Sequence, residues 1–345
     1  MKENARGSMI PPRATITDVA RLAGVSIKTV SRVINREPHV LPTTRDKVIA
    51  AAETLDYRPN LSARQLASNL TFAIAMLYDN PNSAYVTDVQ YGSLQACREH
   101  GYNLLIHPCQ ADSTDLIDEV VDLHRHVDGL ILLQPVSDIR ELCDLLLENR
   151  VACVRVSQRP FEGIPWISVG DAEAADAMTE HLLHLGHRRI GFIIGHPEHG
   201  SSHDRLAGYR SALRRHDIEF DDTLVEQGRF DYESGYSCAQ KLLASVPRPT
   251  AIFASNDPMA MGVLSAAHEL GLGVPGELSV AGFDDSPLAR HAWPPLTTAR
   301  QPITEVARLA TELLMQKLQG RLEGDSRHRL QAELVHRAST GVPAG

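Results

Sequence analysis

Paired cysteines, long apolar runs and internal repeats are what this 345-residue chain lacks. Its five cysteines (Cys97, Cys109, Cys143, Cys153 and Cys238) are odd in number and widely spaced, with no Cys-x-x-Cys pair. That excludes a disulfide framework and a zinc ribbon. No apolar run reaches the roughly 18 residues that a bilayer-spanning helix needs, and Met1 to Pro12 holds no apolar stretch fit for a signal peptide. The expected compartment is therefore the cytoplasm, with no membrane partner. Phosphate loop, nucleophile elbow and dinucleotide-binding glycine fingerprint are missing too, so nothing in the motifs indicates an enzyme. What remains is a composition of 43% hydrophobic and 22% charged residues, which supports folded cores in two or three domains.

The net charge of −9 is unevenly spread. Residues 13–68 hold nine Lys and Arg against five acids, residues 1–12 add one net positive charge, and residues 69–345 carry the acidic balance. A basic head on an acidic body can neutralise phosphates locally while the body resists non-specific coating of DNA.

The head's sequence says how. Residues 15 to 36 read as two short helices broken at Gly24, which can close the first helix in the left-handed conformation, with Ser26 as N-cap of the second. Val19, Ala20 and Ala23 form the first helix's apolar stripe. On the second, Val30, Val33 and Ile34 fall on one side, and Ile27, Lys28, Ser31, Arg32 and Asn35 on the other. This is the pattern of a helix-turn-helix, although an ordinary αα-hairpin with a solvated face shares it. Pro42 starts a third helix, with Val48, Ala51, Ala52 and Leu55 on its inner side and Pro59 as its limit. Asn60 to Ser68 is too short for a stable isolated helix and suits a linker that orders on DNA.

From Phe72 onward apolar runs alternate with amphipathic stretches. Strands are expected at 72–78, 102–107, 129–133, 152–156, 189–194, 251–255 and 278–283, with helices at 86–100, 112–125, 139–148, 171–185, 206–215, 233–243, 258–270 and 303–318. The fold class is thus an all-α helix-turn-helix head plus an α/β body with parallel sheets, whose ligand site lies beyond the carboxyl ends of the strands.

With head, linker and body in this order, the chain resembles the LacI/GalR family of ligand-controlled transcription repressors over residues 14 to 335. The resemblance rests on Asp18-Val-Ala, Ala23-Gly-Val-Ser26 and Thr29-Val-Ser-Arg-Val-Ile-Asn35 in the head and Tyr57-Arg-Pro-Asn60 with Ala63 and Leu66 in the hinge. In the body it rests on Gly186-His-Arg-Arg-Ile-Gly191, Arg205-Leu-Ala-Gly-Tyr209, Phe253-Ala-Ser-Asn-Asp257, Val280-Ala-Gly-Phe-Asp-Asp285 and Leu296-Thr-Thr298 with Gln301. It implies a head at 14–59, a hinge at 60–69, and an effector-binding and dimerisation domain at 70–340 made of two parallel-sheet subdomains, similar to periplasmic sugar-binding proteins. It further implies a homodimer on a pseudo-palindromic operator, controlled by a small sugar or sugar derivative and needing no cofactor.

Carried over by position, Ile27, Lys28 and Arg32 are the base readers, Ser26, Thr29 and Asn35 contact phosphate, and Leu66, with Ala63 in the same hinge, enters the minor groove. Such side chains suit thymine methyls, guanine O6/N7 and base-step unstacking. The matching effector positions are Asp79, Arg155, Ser157, Arg205, Phe230, Asn256, Asp284 and Gln301. Arg155-Val-Ser157 stands where relatives often have an acid, so an anionic effector is open if Arg155 and Arg205 both face the cleft; a structural ion pair is the other reading. Leu41 replaces a Ser-type cap, and the tail after Leu334 lacks the leucine heptad of tetrameric relatives. Release by an inducer is the expected behaviour of a repressor of a carbohydrate-utilisation operon. A sugar-responsive activator or dual regulator, a transport-type binding protein and an enzyme are the alternatives. The histidines of 196–203, with His187, have no standard zinc spacing and read as a polar loop near the cleft, so no metal is expected there.

Overall fold

The computed structural model describes residues 14–34, 39–57, 70–322 and 326–344. The chain divides into two compact units, 1–72 and 73–345.

The first unit has three helices among its described residues: α1 (Ile16–Ala23), α2 (Ile27–Ile34) and α3 (Pro42–Thr54). Thr15 and Asp18 form a capping box at the start of α1, each side chain accepting from the other's backbone N–H. Gly24 ends it at φ 67°, where a side chain would be strained. Ser26 Oγ then accepts from Thr29 N at 3.1 Å and starts α2. Leu41 caps α3 without a side-chain bond, and Pro42 occupies its first turn, where a missing N–H costs nothing. Val19, Val30 and Val48, one from each helix, are fully buried and meet in a core with Ala20, Val33 and Ala51.

The second unit is α/β, built on two six-stranded sheets. One takes β1 (Ala73–Tyr78), β2 (Asn103–Pro108), β3 (Gly129–Leu132), β4 (Cys153–Val156), β5 (Trp166–Val169) and β11 (Arg327–Leu330), in the order β11-β5-β4-β3-β1-β2. The other takes β6 (Ile190–Ile194), β7 (Val225–Gln227), β8 (Ala251–Ala254), β9 (Ser279–Asp284), β10 (Thr297–Arg300) and β12 (Glu333–Val335), ordered β12-β10-β9-β8-β6-β7. All pairings are parallel except β10 with β12. Helices α4 (Ser83–His100), α5 (Leu116–His124), α6 (Arg140–Glu148) and α12 (Ile303–Leu318) belong to the first subdomain. Helices α7 (Asp171–His184), α8 (Gly200–Arg215), α9 (Tyr232–Ala244), α10 (Asp257–Glu269) and α11 (Pro287–His291) belong to the second. The chain passes between subdomains three times: after β5, after β10 and after β11.

Packing is close where the two sides of the site are anchored. At Gly208 on α8 an added Cβ would lie 2.1 Å from the Ala172 carbonyl oxygen of α7, so only glycine allows this crossing. Tyr209 beside it stacks on Phe192 with centroids 4.9 Å apart and donates to the Ile190 carbonyl.

The expected strands and helices are all present, but β5, β7, β10, β11 and β12 lie outside the sequence reading, and α8 starts at Gly200 rather than Leu206. Gly200, Ser201 and Ser202 are poor helix formers but are buried, Gly200 close to Asp138 and Gln134 of the other subdomain and Ser202 with its hydroxyl on the His196 carbonyl. Contrary to the sequence reading, which found no such spacing, Gly271-Leu-Gly-Val-Pro-Gly276 does have the glycine spacing of a dinucleotide fingerprint, but it links α10 to β9, the reverse of the strand-to-helix order that a pyrophosphate needs.

Candidate nucleic-acid interface and ligand cleft

In the head, α2 turns Val30 and Val33 inward and leaves Ser26, Ile27, Lys28 and Arg32 exposed, with Thr29 and Ser31 half-buried. Ile27 is 49% exposed and stands beside Lys28, with Arg32 on the same exposed side. Ser26 and Thr29 hydroxyls stand 2.9 Å apart at the helix start, where backbone N–H groups favour phosphate. Asn35, Ala63 and Leu66 lie outside the described residues.

In the body, the strand ends of both sheets enclose a cavity of about 50 Å³. Ser157, Arg205, Phe230, Asn256, Asp284 and Gln301 line it, together with Asn82, Tyr85, Gln134, Gln158, Asp171 and His199, among others. Asp284, the last residue of β9, has φ 112°, a conformation that costs on the order of 1–3 kcal/mol and persists only where the surroundings impose it. Its Oδ2 accepts from Asn82 Nδ2 at 2.9 Å and its Oδ1 from Gln301 Nε2 at 2.7 Å. It does not cap the following helix, whose N-cap position is held by Ser286 without a side-chain cap bond. Burial drives the Asp284 carboxyl above the usual range against the pull of Arg205, and drives Asp257, buried nearby, up as well. Asp257 is held by Thr298 Oγ1 and Ser286 N, both at 2.7 Å.

Arg205 is buried, its guanidinium 3.8 Å from the centroid of the Phe283 ring and 5.7 Å from that of Phe230. Nε donates to Asp171 Oδ1 at 2.7 Å and Nη1 to the Ser255 carbonyl. Nη2 has no protein partner among the described residues. Asp171 also accepts from Gln158, yet burial outweighs both donors and raises its pKa. Phe230 belongs to a core cluster and to the cleft wall at once, 5.3 Å centroid to centroid from His199. Asn256 caps α10 through Met259 N at 3.0 Å and holds the Phe230 carbonyl at 2.8 Å, so its amide shapes the wall from behind.

Asp79 and Arg155 do not line this cavity. Asp79 accepts from Ala111 N at 2.9 Å and faces a neighbouring hollow with Tyr78, His196 and Arg229. Arg155 is buried against Asp138 at 3.5 Å and the Ser137 carbonyl at 2.6 Å, the structural ion pair of the two readings. Ser157 lines the cavity, but its hydroxyl donates to Asp138. The histidines are also dispersed. His187 is buried in the second subdomain, on Thr250, Ser279 and the Gly341 carbonyl, while His199 lines the cleft beside Phe230. Burial, then His196 and Arg205, push the His199 pKa down to about 3, so it is neutral.

The sequence reading missed Asn82, Gln158 and Asp171, and gave His199 only a place in a polar loop near the cleft. Each sits at the start of a helix or in a loop, where a polar residue has an ordinary capping role. No local signal marks them.

At the cleft, Asn82–Asp284 and Gln158–Asp171 bridge the subdomains. With about 50 Å³ between them, far below the roughly 300–1,000 Å³ of common ligand sites, a ligand enters only by parting these contacts.

Residues 15–60 match the family of bacterial regulatory proteins described as lacI family, and residues 179–340 match the periplasmic binding protein-like domain. The HTH-type transcriptional repressor PurR of Photobacterium profundum is 34% identical over 337 residues, 94% of this chain and 98% of that protein. The ribose operon repressor of Escherichia coli K12 is 34% identical over 333 residues, 94% and 99% of the two chains. Among solved structures, the Lac repressor dimer bound to operator and the anti-inducer ONPF superposes with a TM-score of 0.76 at 28% identity, covering 96% of this chain and all of that one. A helical reading head, a two-subdomain body and near-complete coverage of these repressors lead to one conclusion: the chain belongs to the LacI family of DNA-binding transcription regulators, whose role is control of transcription and not catalysis.

Proposed function

We propose that the chain works in the cytoplasm as a homodimeric repressor of a carbohydrate-utilisation operon, released from a pseudo-palindromic operator by a neutral sugar-like effector. The observation that carries the effector class is the charge balance of the cleft. One guanidinium, Arg205, faces two carboxylates, Asp171 and Asp284, and Arg155 is turned away onto Asp138. A sugar phosphate or sugar acid would meet net negative charge, whereas hydroxyls find acceptors on Asp284 and a donor on Arg205 Nη2, with the Phe230 ring as an apolar wall. One relative is a ribose operon repressor, which supports a sugar-like effector. The Lac repressor dimer on its operator supports the dimeric reading.

Ile27, Lys28 and Arg32 are proposed to read base edges and Ser26 and Thr29 to hold phosphates. The effector couples to DNA because it needs a different subdomain arrangement from the closed one, a coupling typically of about 1–3 kcal/mol. The test is release of a labelled operator, selected by the protein from genomic fragments, in the presence of neutral sugars, their phosphates or purine bases. Release by a neutral sugar is expected. Release by phosphates or purines alone would overturn the effector class.

A further inference from the structure

We propose that Glu180, His184 and His216 form a transition-metal site on the surface of the α7–α8 pair, of the kind that zinc occupies. Glu180 and His184 are one helical turn apart and share a face of α7. His216, the cap residue of α8, folds back so that its Nε2 lies 2.7 Å from Glu180 Oε2. His184 Nδ1 lies 3.9 Å from the same oxygen, and the two imidazoles meet nearly edge to face, 83° between planes and 5.8 Å between centroids. One ligand atom from each residue falls within 4.8 Å of the others. Zinc bonds of about 2.0–2.1 Å in a tetrahedron separate donors by roughly 3.4 Å. The set reaches this by a small opening of the Glu180–His216 bond and an inward turn of His184, whose side chain is 74% exposed and free to move.

The outer contacts also suit an ion. Arg215 bonds both oxygens of Asp176, at 2.6 and 2.7 Å, and the Oε1 of Glu180, which turns Oε2 toward the imidazoles. Groups that orient a ligating carboxylate in this way typically matter for affinity. The charges of Arg215 and Asp176 cancel, leaving that of Glu180 for the cation. Two imidazoles and one carboxylate favour zinc, copper or nickel over magnesium or calcium, and the exposed side leaves a fourth position for water. An ion there ties the last turn of α7 to the end of α8.

The experiment is a zinc titration of the full chain, without a histidine tag, against a chromophoric chelator. The expected result is one zinc per protomer, affinity reduced at least about tenfold in both His184→Ala and His216→Ala, and no change in His196→Ala or His203→Ala. Cobalt should give the intense visible absorption of a tetrahedral centre, lost in the same two variants. Because His184 is exposed, its substitution leaves the fold intact. Absence of stoichiometric zinc, or unchanged binding in the His184 and His216 variants, would overturn the site.

Discussion

In the head, Ile27, Lys28 and Arg32 stand on the exposed side of one eight-residue helix, each placed by its spacing alone. In the body, Arg205 is 5% exposed, and Asp284 is enclosed by partners 202 and 17 positions away in sequence. The first arrangement separates reading from folding, because the side chains proposed to meet DNA carry none of the core. The second does not, since the groups proposed to face the ligand also satisfy one another, and Asn82–Asp284 and Gln158–Asp171 tie the two subdomains together. Substitutions should therefore damage different properties in the two regions.

The largest effect is expected from Arg205→Ala. It leaves Asp171 buried and unpaired, a change that costs about 3–5 kcal/mol in comparable buried pairs. Urea unfolding followed by tryptophan fluorescence reports on the body alone, because both tryptophans, Trp166 and Trp293, lie in it. A loss below about 1 kcal/mol would mean that the pair is not the structural element described. Arg32→Ala should leave that unfolding curve in place and weaken operator binding by about 1–3 kcal/mol, with a smaller loss on random DNA. Equal losses on both DNAs would reduce Arg32 to a phosphate contact and remove the contrast between the regions.

A smaller effect sharpens the comparison through pH. His199 is neutral in the folded body, while in the unfolded chain it takes up a proton below about pH 6.5. A depressed histidine pKa therefore lowers stability as pH falls from 6.5 toward 3, by up to about 1.4 kcal/mol per pH unit from this one group. Asp257 and Asp284 act in the opposite sense: their raised pKa values favour the fold at low pH and cease to do so as pH rises through the shifted range. Comparing His199→Gln with the parent isolates the histidine, and the variant should show the weaker fall in stability between pH 6.5 and 5. Parallel pH profiles would show that His199 is not buried neutral at the cleft.

How much the sequence disclosed follows the same division. The head was legible down to its capping glycine and serine, because helix faces and caps depend on residues three or four apart. Body helices such as α7 and α9 and strands such as β8 and β9 were legible from their apolar runs. Strand β10 was not, since Thr297-Thr-Ala-Arg300 offers no apolar run and follows Pro294-Pro295, and it becomes buried strand through β9, β12 and the Ser339 hydroxyl. Strands β7 and β12 are three residues long and exist by pairing alone. Within the site, Arg205, Phe230, Asn256, Asp284 and Gln301 could be named in advance and are brought together, but their partners could not. Asn82 and Gln158 reach them only because the chain passes three times between sheets, which no local pattern records.

A neutral sugar held by Asp284 in the cleft is proposed to control the head's hold on DNA. The most direct measurement titrates an inducing sugar, found by thermal shift, into the protein–operator complex for the parent chain and for Asp284→Ala. The expected result is release of DNA by sugar in the parent only, with the variant's sugar-free operator affinity at or below the parent's, since Asn82 loses the acceptor that bridges it to the second subdomain. Release by sugar at the same concentration in both proteins would remove Asp284 from the ligand site.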